Sequence, residues 1–510
     1  MNTYTITEML RKPRTAQRVN PGRVAVVFGE RTVTYDELED RSQRLASALA
    51  AEGFRKGDRV GILLHNRPEW MEIFFAVAKL GGVMVPINYF LRAGEAGYIL
   101  DDCGARWVIA EERLWPLVDG FRTPDDGRRY VGIDTARPGT LAYEELMAAE
   151  PAEFDHDVAL DDLFLLQYTS GTTGFPKGAM HTHATVLWNS FHQILDFAVT
   201  ADDVFLIMPA LCWAAGFHDI ALATLWMGGR LVLNPSTNFD PDQFFETVQG
   251  HGVTKTLLVP SVLKRVLGAD TLEKYDLSSL AMVFSGGEPV PVTSIAQLHD
   301  RLPTCVLQQV YGMSEFPTMM LYLDADNAIR KAGSAGRACR AAEIRIVDPH
   351  GEDVPVGETG EIICRSPATM LGYYGKDDAS ASSLADGWLH TGDLASVDAD
   401  GFVYVTGRSK DMIITGGLNV YPAEIERVIA GHPAVVEAAV IGVPDEKWGE
   451  IGKAVVVLAE GASLSEEELV AHLREELATF KVPRVYELRH DPLPRTTSGK
   501  VQKFRLRDGG

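Results

Sequence analysis

At 510 residues the chain exceeds one typical domain, and its 46% hydrophobic and 23% charged residues are the composition of an ordinary globular protein. Its 48 basic against 70 acidic residues leave a formal charge of −22. That balance argues against nucleic acid or an anionic membrane as a main partner, since both demand positive patches.

The longest apolar stretch, Ile73 to Ile87, is short and interrupted by Lys79, so no integral membrane segment is expected. Met1 to Asn20 lacks the apolar core and cleavage site of a signal peptide. Cys103, Cys212, Cys305, Cys339 and Cys364 are odd in number and widely spaced, which predicts thiols in a reducing compartment, not a disulfide frame or a zinc site. The expected location is the cytoplasm.

In chain order, Arg31 to Tyr35 alternates like a strand. Asp36 then reads as the N-cap of a helix reaching Glu52, with Gly53 as its stop. Gly57 to Leu64 reads as a strand, the stretch through Trp70 and Phe74 as a helix, and Gly81 to Pro86 as a Gly-Gly turn and second strand. The same order returns from Asp202 through His218 and Leu225 to Gly228-Gly229 and Leu233. Two such units predict βαβ crossovers, parallel sheets and two related sub-domains packed face to face.

Between the two units, the apolar run Leu163 to Gln167 empties into Tyr168-Thr169-Ser170-Gly171-Thr172-Thr173-Gly174-Phe175-Pro176-Lys177-Gly178, and a helix is expected from Ala184. Glycines let the backbone approach a ligand, successive N–H groups and hydroxyls can wrap phosphate oxygens, and Lys177 adds a positive charge. The Gly-Lys-Ser/Thr ending of a Walker A loop is missing. Further on stand Ser285-Gly286-Gly287-Glu288-Pro289 and, after an apolar run, Gln309-Val310-Tyr311-Gly312-Met313-Ser314-Glu315.

From Pro349 the texture changes to short strands separated by Gly and Asp, a small β-rich piece. It carries Trp388 to Asp393 and Gly407-Arg408-Ser409-Lys410-Asp411. Beyond it, helices are expected over Ala423 to Ala430 and Ser465 to Thr479, the latter with a Ser cap and first-turn acids, and strands over Ala434 to Val443 and Lys453 to Ala459. Pro494 to Lys500 places a lysine in a Ser/Thr/Gly loop.

These stretches, in this order, resemble the motifs of the adenylate-forming superfamily, whose members include acyl-CoA synthetases, luciferases and nonribosomal adenylation domains. The resemblance implies an α/β fold: a large N-terminal domain of pseudo-symmetric parallel-sheet sub-domains with a small β-rich piece (residues 1–409), then a small mobile α+β C-terminal domain (410–510). It also implies an acid:CoA ligase that uses ATP, Mg²⁺ and CoA, with a small-molecule carboxylic acid as the remaining substrate; a homodimer is compatible with it.

By the same resemblance, Thr169, Ser170, Gly171, Thr172, Thr173, Gly174 and Lys177 bind the phosphates of ATP. Gly287, Glu288 and Pro289 line one face of the adenine, Tyr311 stacks on it, and Gln309, Val310, Gly312 and Met313 accompany it. Ser314 contacts phosphate, and Glu315 with Thr172 holds Mg²⁺, a cation that favours oxygen ligands. Asp393 takes the ribose hydroxyls, which suits an acceptor-only carboxylate. Arg408 reaches ribose or phosphate, Lys410 is the hinge, and Lys500 is the catalytic lysine that holds acid and phosphate oxygens together.

Gly416 and Gly417 would line the pantetheine tunnel, with Trp448, Phe480 and Lys481 contacting CoA as the small domain rotates between half-reactions. The acyl pocket falls on Cys212, Trp213, Phe217 and Val310. There the sequence departs from the family, with Cys212 or Trp213 where an aromatic-His pair is common and Val310 where Gly is frequent. Arg330 to Arg337 is most like the bacterial fatty-acyl-CoA synthetases, so a fatty acid is the favoured substrate. An aryl or cyclic acid, or a carrier-protein thiol as acceptor, are the alternatives.

Overall fold

Alternating and continuous apolar runs set the strands, and a capping box sets the first long helix. In the computed structural model, which describes residues 5–10, 22–123, 125–152, 157–169, 175–234, 239–316, 318–416, 418–495 and 501–507, β1 (Val24–Phe28) and β2 (Arg31–Thr34) form a tight hairpin leading into α1 (Tyr35–Ala51). The cap is Thr34, not the expected Asp36: its side chain accepts the Glu37 N–H while the Glu37 carboxylate takes the Thr34 N–H. This reciprocal pair satisfies two orphan donors, which Asp36 inside the helix does not do. Gly53, at φ +93°, ends the helix as expected.

Met1–Glu343 with Cys364–Leu389 form one compact unit, and Ile344–Ile363 with His390–Gly510 a second. In the first, both expected βαβ units are present. β3 (Arg59–Leu63), α2 (Glu69–Lys79) and β4 (Val83–Pro86) form one, with Arg59 opposite Val83 in parallel. β10 (Val204–Ile207) and β11 (Arg230–Leu233) form the other, with Val204 opposite Arg230. Its crossover is two short helices, Ala214–Phe217 and Ala221–Met227, and His218 sits at the break between them instead of inside a helix.

The two units lie in different sheets. β3 and β4 belong to a seven-stranded sheet, with β8 (Leu163–Thr169) beside β4 in parallel and β9 (Lys177–Thr182) antiparallel at the edge. β10 and β11 belong to a nine-stranded sheet, where β1 lies parallel beside β11 and β2 antiparallel beyond it. On its other side this sheet continues through β12 (Lys255–Leu257), β13 (Met282–Gly286) and β14 (Val306–Tyr311), all parallel. A single core cluster draws side chains from both sheets, among them Ile62, Leu165, Phe205 and Leu231, and from helices α1, α2 and α3 (His183–Asp196) between them. Each fully buried Leu, Ile or Phe there is worth about 1.5–3 kcal/mol of burial.

Most of a five-stranded sheet falls in the second unit, including the antiparallel hairpin that sets Asp393 opposite Arg408. So does another five-stranded sheet, built on the long pair Val435–Asp445 and Gly449–Leu458 and packed with helices Pro422–Ala430 and Glu466–Glu476. Ser465 and Glu468 make the expected cap a full capping box. The chain is thus mixed α/β, a parallel-sheet N-terminal region and a small β/α C-terminal part. No helix among the described residues is long and apolar enough to cross a membrane. All five cysteines are free and buried.

Candidate active site

Lys177 is the first residue of β9, opposite Thr169 at the end of β8. The sequence hid this returning strand, because Pro176-Lys177-Gly178 reads as a turn. Ser170, Gly171, Thr172, Thr173 and Gly174 lie outside the described residues. Their flank is anchored through Tyr168, whose hydroxyl donates to Asp102 (2.8 Å), a carboxylate that also takes the Lys376 ammonium (2.8 Å).

Residues 371–374 run alongside β9: Met180 N–H donates to Gly372 O (2.9 Å), and Tyr374 N–H to Gly178 O (2.9 Å). This pairing carries Tyr373 between two of the expected site residues. Its hydroxyl donates to Glu315 Oε1 (2.8 Å), and Lys177 Nζ sits 5.1 Å from its ring centroid. Burial first, and the Glu315 charge second, raise the Tyr373 phenol well above its usual range, so it stays a donor. Glu315 is buried at 8% exposure and holds the Met370 N–H on its backbone carbonyl (2.8 Å). A carboxylate has acceptor capacity beyond one such bond, so this one fits a hard cation such as Mg²⁺. Tyr373 was missed by the motif reading; the signal was an aromatic pair directly after Gly372.

Gly312 is required by contact: a Cβ there would lie 1.2 Å from the Thr318 carbonyl oxygen. The chain turns back between Gly312 and Thr318 to pair Tyr311 with Leu321, while His181 and the Ser314 carbonyl meet at 2.8 Å. Met313 is half-buried, and Val310 packs against the central core. Gly287, at φ +85°, with Glu288 and Pro289, forms an exposed turn after β13. Gln309 is buried, and its Nε2 finds no partner among the described residues.

On the acid side, the Cys212 thiol is buried and pushed up to about 12 by desolvation, so it is no nucleophile. Phe217 is packed in the core, edge-on to Phe74 at 4.7 Å. Trp213 is half-buried with its ring 6.3 Å from Phe90, which is 47% exposed and packs tilted against Tyr89 at 4.6 Å. Neither Tyr89 nor Phe90 carries a motif, so nothing local marks this aromatic group. His218 and His181 are wholly buried, and desolvation lowers them to about 3 and about 4, so both are neutral. Desolvation raises the Asp219 carboxyl to about 8.

Among the described residues one trio, His192, Asp196 and Cys339, has metal-ligand spacing. Its sulfur and imidazole suit a softer ion than Mg²⁺, and the Arg340 N–H already donates to Asp196 (3.2 Å).

In the second unit, Arg408 Nε donates to Asp393 Oδ1 (3.2 Å) across their strand pair. Lys410 lies on a short 3-10 turn, its ammonium lowered by desolvation and then by the Arg408 charge. Gly416, at φ +59°, packs so closely on Trp448 that a Cβ would meet the indole at 2.7 Å. Arg484 and Lys447 sit 4.7 and 4.9 Å from Trp448 ring centroids. Phe480 is 41% exposed, and Lys481 is engaged by both Glu424 oxygens (2.7 and 2.8 Å). Gly417 and Lys500 lie outside the described residues.

A parallel-sheet α/β region that brings a lysine and a carboxylate to one tyrosine, followed by a small β/α part, is the arrangement found here, and the matches to known families say which class it belongs to. The chain belongs to the adenylate-forming superfamily, in its AMP-forming acyl-CoA ligase family: the AMP-binding enzyme family matches residues 13–374, and the AMP-binding enzyme C-terminal domain matches 424–500. It is 41% identical over 490 residues, 96% of each chain, to a feruloyl-CoA synthase of Amycolatopsis sp. It is also similar to the solved anthranilate CoA ligase AuaEII in complex with anthranoyl-AMP (TM-score 0.90, 28% identity, 99% of this chain and 97% of that one). A third likeness is to the o-succinylbenzoate CoA synthetase MenE of Bacillus subtilis in complex with ATP and magnesium ion (TM-score 0.87, 30% identity, 98% of each chain).

Proposed function

We infer that this protein is an ATP-dependent aryl-acid:CoA ligase. The acid's carboxylate oxygen attacks the α-phosphorus of ATP, the bond to the β-phosphate oxygen breaks, and pyrophosphate leaves. The CoA thiol, having lost its proton, then attacks the acyl carbon of the adenylate, and AMP departs. The observation that carries the first step is the meeting of Lys177 and Glu315 on the ring and hydroxyl of Tyr373. Reactions of this kind are catalysed by positioning and fixed charge, and these are the groups for it.

Lys177 and the loop before it hold the leaving phosphates. Glu315, steadied by Tyr373, would hold Mg²⁺ together with Thr172; when bound, the ion neutralises phosphate charge. Tyr311 and the Gly287–Pro289 turn hold the adenine, Asp393 and Arg408 the ribose, and Lys500 the acid and α-phosphate oxygens. Gly416, Gly417, Trp448, Phe480 and Lys481 serve CoA, and Lys410 is assigned as the hinge between domains 1–409 and 410–510. The buried free thiols support a cytoplasmic location.

The preference for an aryl acid is supported by the Trp213, Phe90 and Tyr89 group beside the acid segment and by the aryl substrates in the names of its relatives. A fatty acid is the second reading, resting on the Arg330–Arg337 resemblance. The test is pyrophosphate release with aryl, cyclic, short and long acids, with and without CoA. An aryl acid should drive release, and CoA should convert the product to acyl-CoA and AMP. ADP among the products, or release that ignores the acid, overturns the reading.

A further inference from the structure

Helix α3 carries a polar stripe where a buried helix usually carries an apolar one. Asn189, His192, Gln193 and Asp196 recur at the spacing that places side chains on one face, and their side chains are all buried. Burying such groups is unfavourable unless each finds a partner, so the partners identify the purpose. Gln193 Oε1 accepts the Ile220 N–H (2.7 Å), while its Nε2 donates to His218 O (3.0 Å) and Thr318 Oγ1 (2.9 Å). Asn189 Nδ2 donates to the same His218 carbonyl (2.9 Å), and its Oδ1 accepts the Thr318 hydroxyl (2.8 Å). Backbone groups at both anchors fix which end of each amide is oxygen, so the network has one orientation.

The Gln193 anchor is itself unusual. Ile220 has φ +64° and ψ −34°, and the Ala221 N–H closes on Asp219 O (2.7 Å), a γ-turn of the rare positive-φ kind. A β-branched residue holds that conformation only where its surroundings over-determine it. Gln193 is the side chain that takes its N–H. At the other end, Thr318 follows Glu315 closely, and its carbonyl presses on Gly312. One amide therefore joins the segment beginning at Cys212 and Trp213 to the segment that carries Tyr311 and Glu315.

We propose that Gln193 is a positioning residue that holds the acid-binding wall in register with the ATP-binding segment, fixing where the substrate carboxylate lies relative to the α-phosphorus. It touches neither substrate and acts through Ile220 and Thr318. The proposal rests on the acid:CoA ligase reading above. Misplacing reacting groups by about an ångström costs on the order of 100-fold in rate, which sets the scale.

The test compares full-length wild type with Gln193→Met, which keeps length and loses every hydrogen bond. Pyrophosphate release is followed over acid and ATP concentrations, and thioester formation is measured separately from a synthetic acyl-adenylate and CoA. Adenylation kcat should fall by roughly 10- to 100-fold, and selectivity between the best acid and a smaller analogue should shrink. The KM for ATP and the thioester step should stay within about twofold of wild type, a small change on that same scale.

Equal loss in both half-reactions, or unchanged selectivity, means a merely structural role and overturns the proposal. If Gln193→Met does not fold, Thr318→Val removes the far hydroxyl at constant shape and must reproduce the selectivity loss; its failure to do so is equally fatal. A wild type that releases no pyrophosphate with any acid removes the ligase reading and this proposal with it. An active wild type with a uniformly impaired variant removes only the proposal.

Discussion

Tyr373→Phe removes one oxygen and leaves the ring that Lys177 sits over. What it takes away is the 2.8 Å hydrogen bond to Glu315 Oε1, on a carboxylate of 8% exposure that water reaches poorly. A hydrogen bond to a charged group contributes about 1.5–3 kcal/mol, and a buried acceptor left without its donor forfeits a similar amount. At about 1.4 kcal/mol per tenfold, that is roughly a 10- to 100-fold effect on whatever depends on the Glu315 geometry. The assay is pyrophosphate release at saturating acid and ATP over a Mg²⁺ titration. The variant should need about tenfold more Mg²⁺ for half-maximal rate, or lose about that much kcat, as the same bond energy requires. Thioester formation from supplied acyl-adenylate should be unaffected. An unchanged Mg²⁺ titration together with an unchanged kcat would refute the claim that the hydroxyl orients the carboxylate.

Lys500→Ala should lose about 10²- to 10³-fold in adenylate formation while sparing thioester formation from a supplied adenylate, measured as separate half-reactions. Gly416→Ala should do the reverse, because its Cβ meets the Trp448 indole at 2.7 Å and the φ of +59° disfavours any side chain; thioester formation falls and pyrophosphate exchange persists. Asp219→Asn should stabilise the protein at pH 8 and make little difference at pH 4, read from thermal melts across that range. The sign follows from linkage: burial raises the Asp219 carboxyl to about 8 in the fold, whereas the unfolded chain ionises near 3.8. Between those values the unfolded state binds fewer protons, so stability declines as pH rises, by several kcal/mol at most. Asn carries no proton to lose and abolishes the slope.

The fold's α/β class and both βαβ units were legible because apolar periodicity and Gly-Gly turns are local signals. Strand β9 was not, since Pro176-Lys177-Gly178 has turn composition and only pairing with β8 and Gly372 makes it extended. The cap at Thr34 was legible in the Thr34-x-x-Glu37 spacing of a capping box, and reading Asp36 alone as the cap passed over that reciprocal pair. Glu315 and Lys177 sit in dense motifs, whereas the contacts of Tyr373, Phe90 and Gln193 reach residues far away in sequence. A long-range contact leaves no trace in local spacing.

The repetition read in the sequence runs deeper than the two crossovers. Each half begins with an antiparallel hairpin, β1–β2 and β8–β9, followed by a helix capped by threonine, Thr34 and Thr182. Each hairpin is then given to the other half's sheet, β1 beside β11 and β8 beside β4. Exchange of this kind ties the halves through sheet hydrogen bonds as well as through the core they share. In the first hairpin Phe28 pairs with Arg31 across Gly29 and Glu30, the tight two-residue turn that strand twist favours. In the second, Thr169 pairs with Lys177, and the Gly/Ser/Thr stretch occupies the same topological place. One copy of the turn is two residues long; the other is lengthened by a sequence rich in glycines and hydroxyls, the composition that the proposed phosphate contacts call for, and the returning strand begins with the lysine proposed to join them.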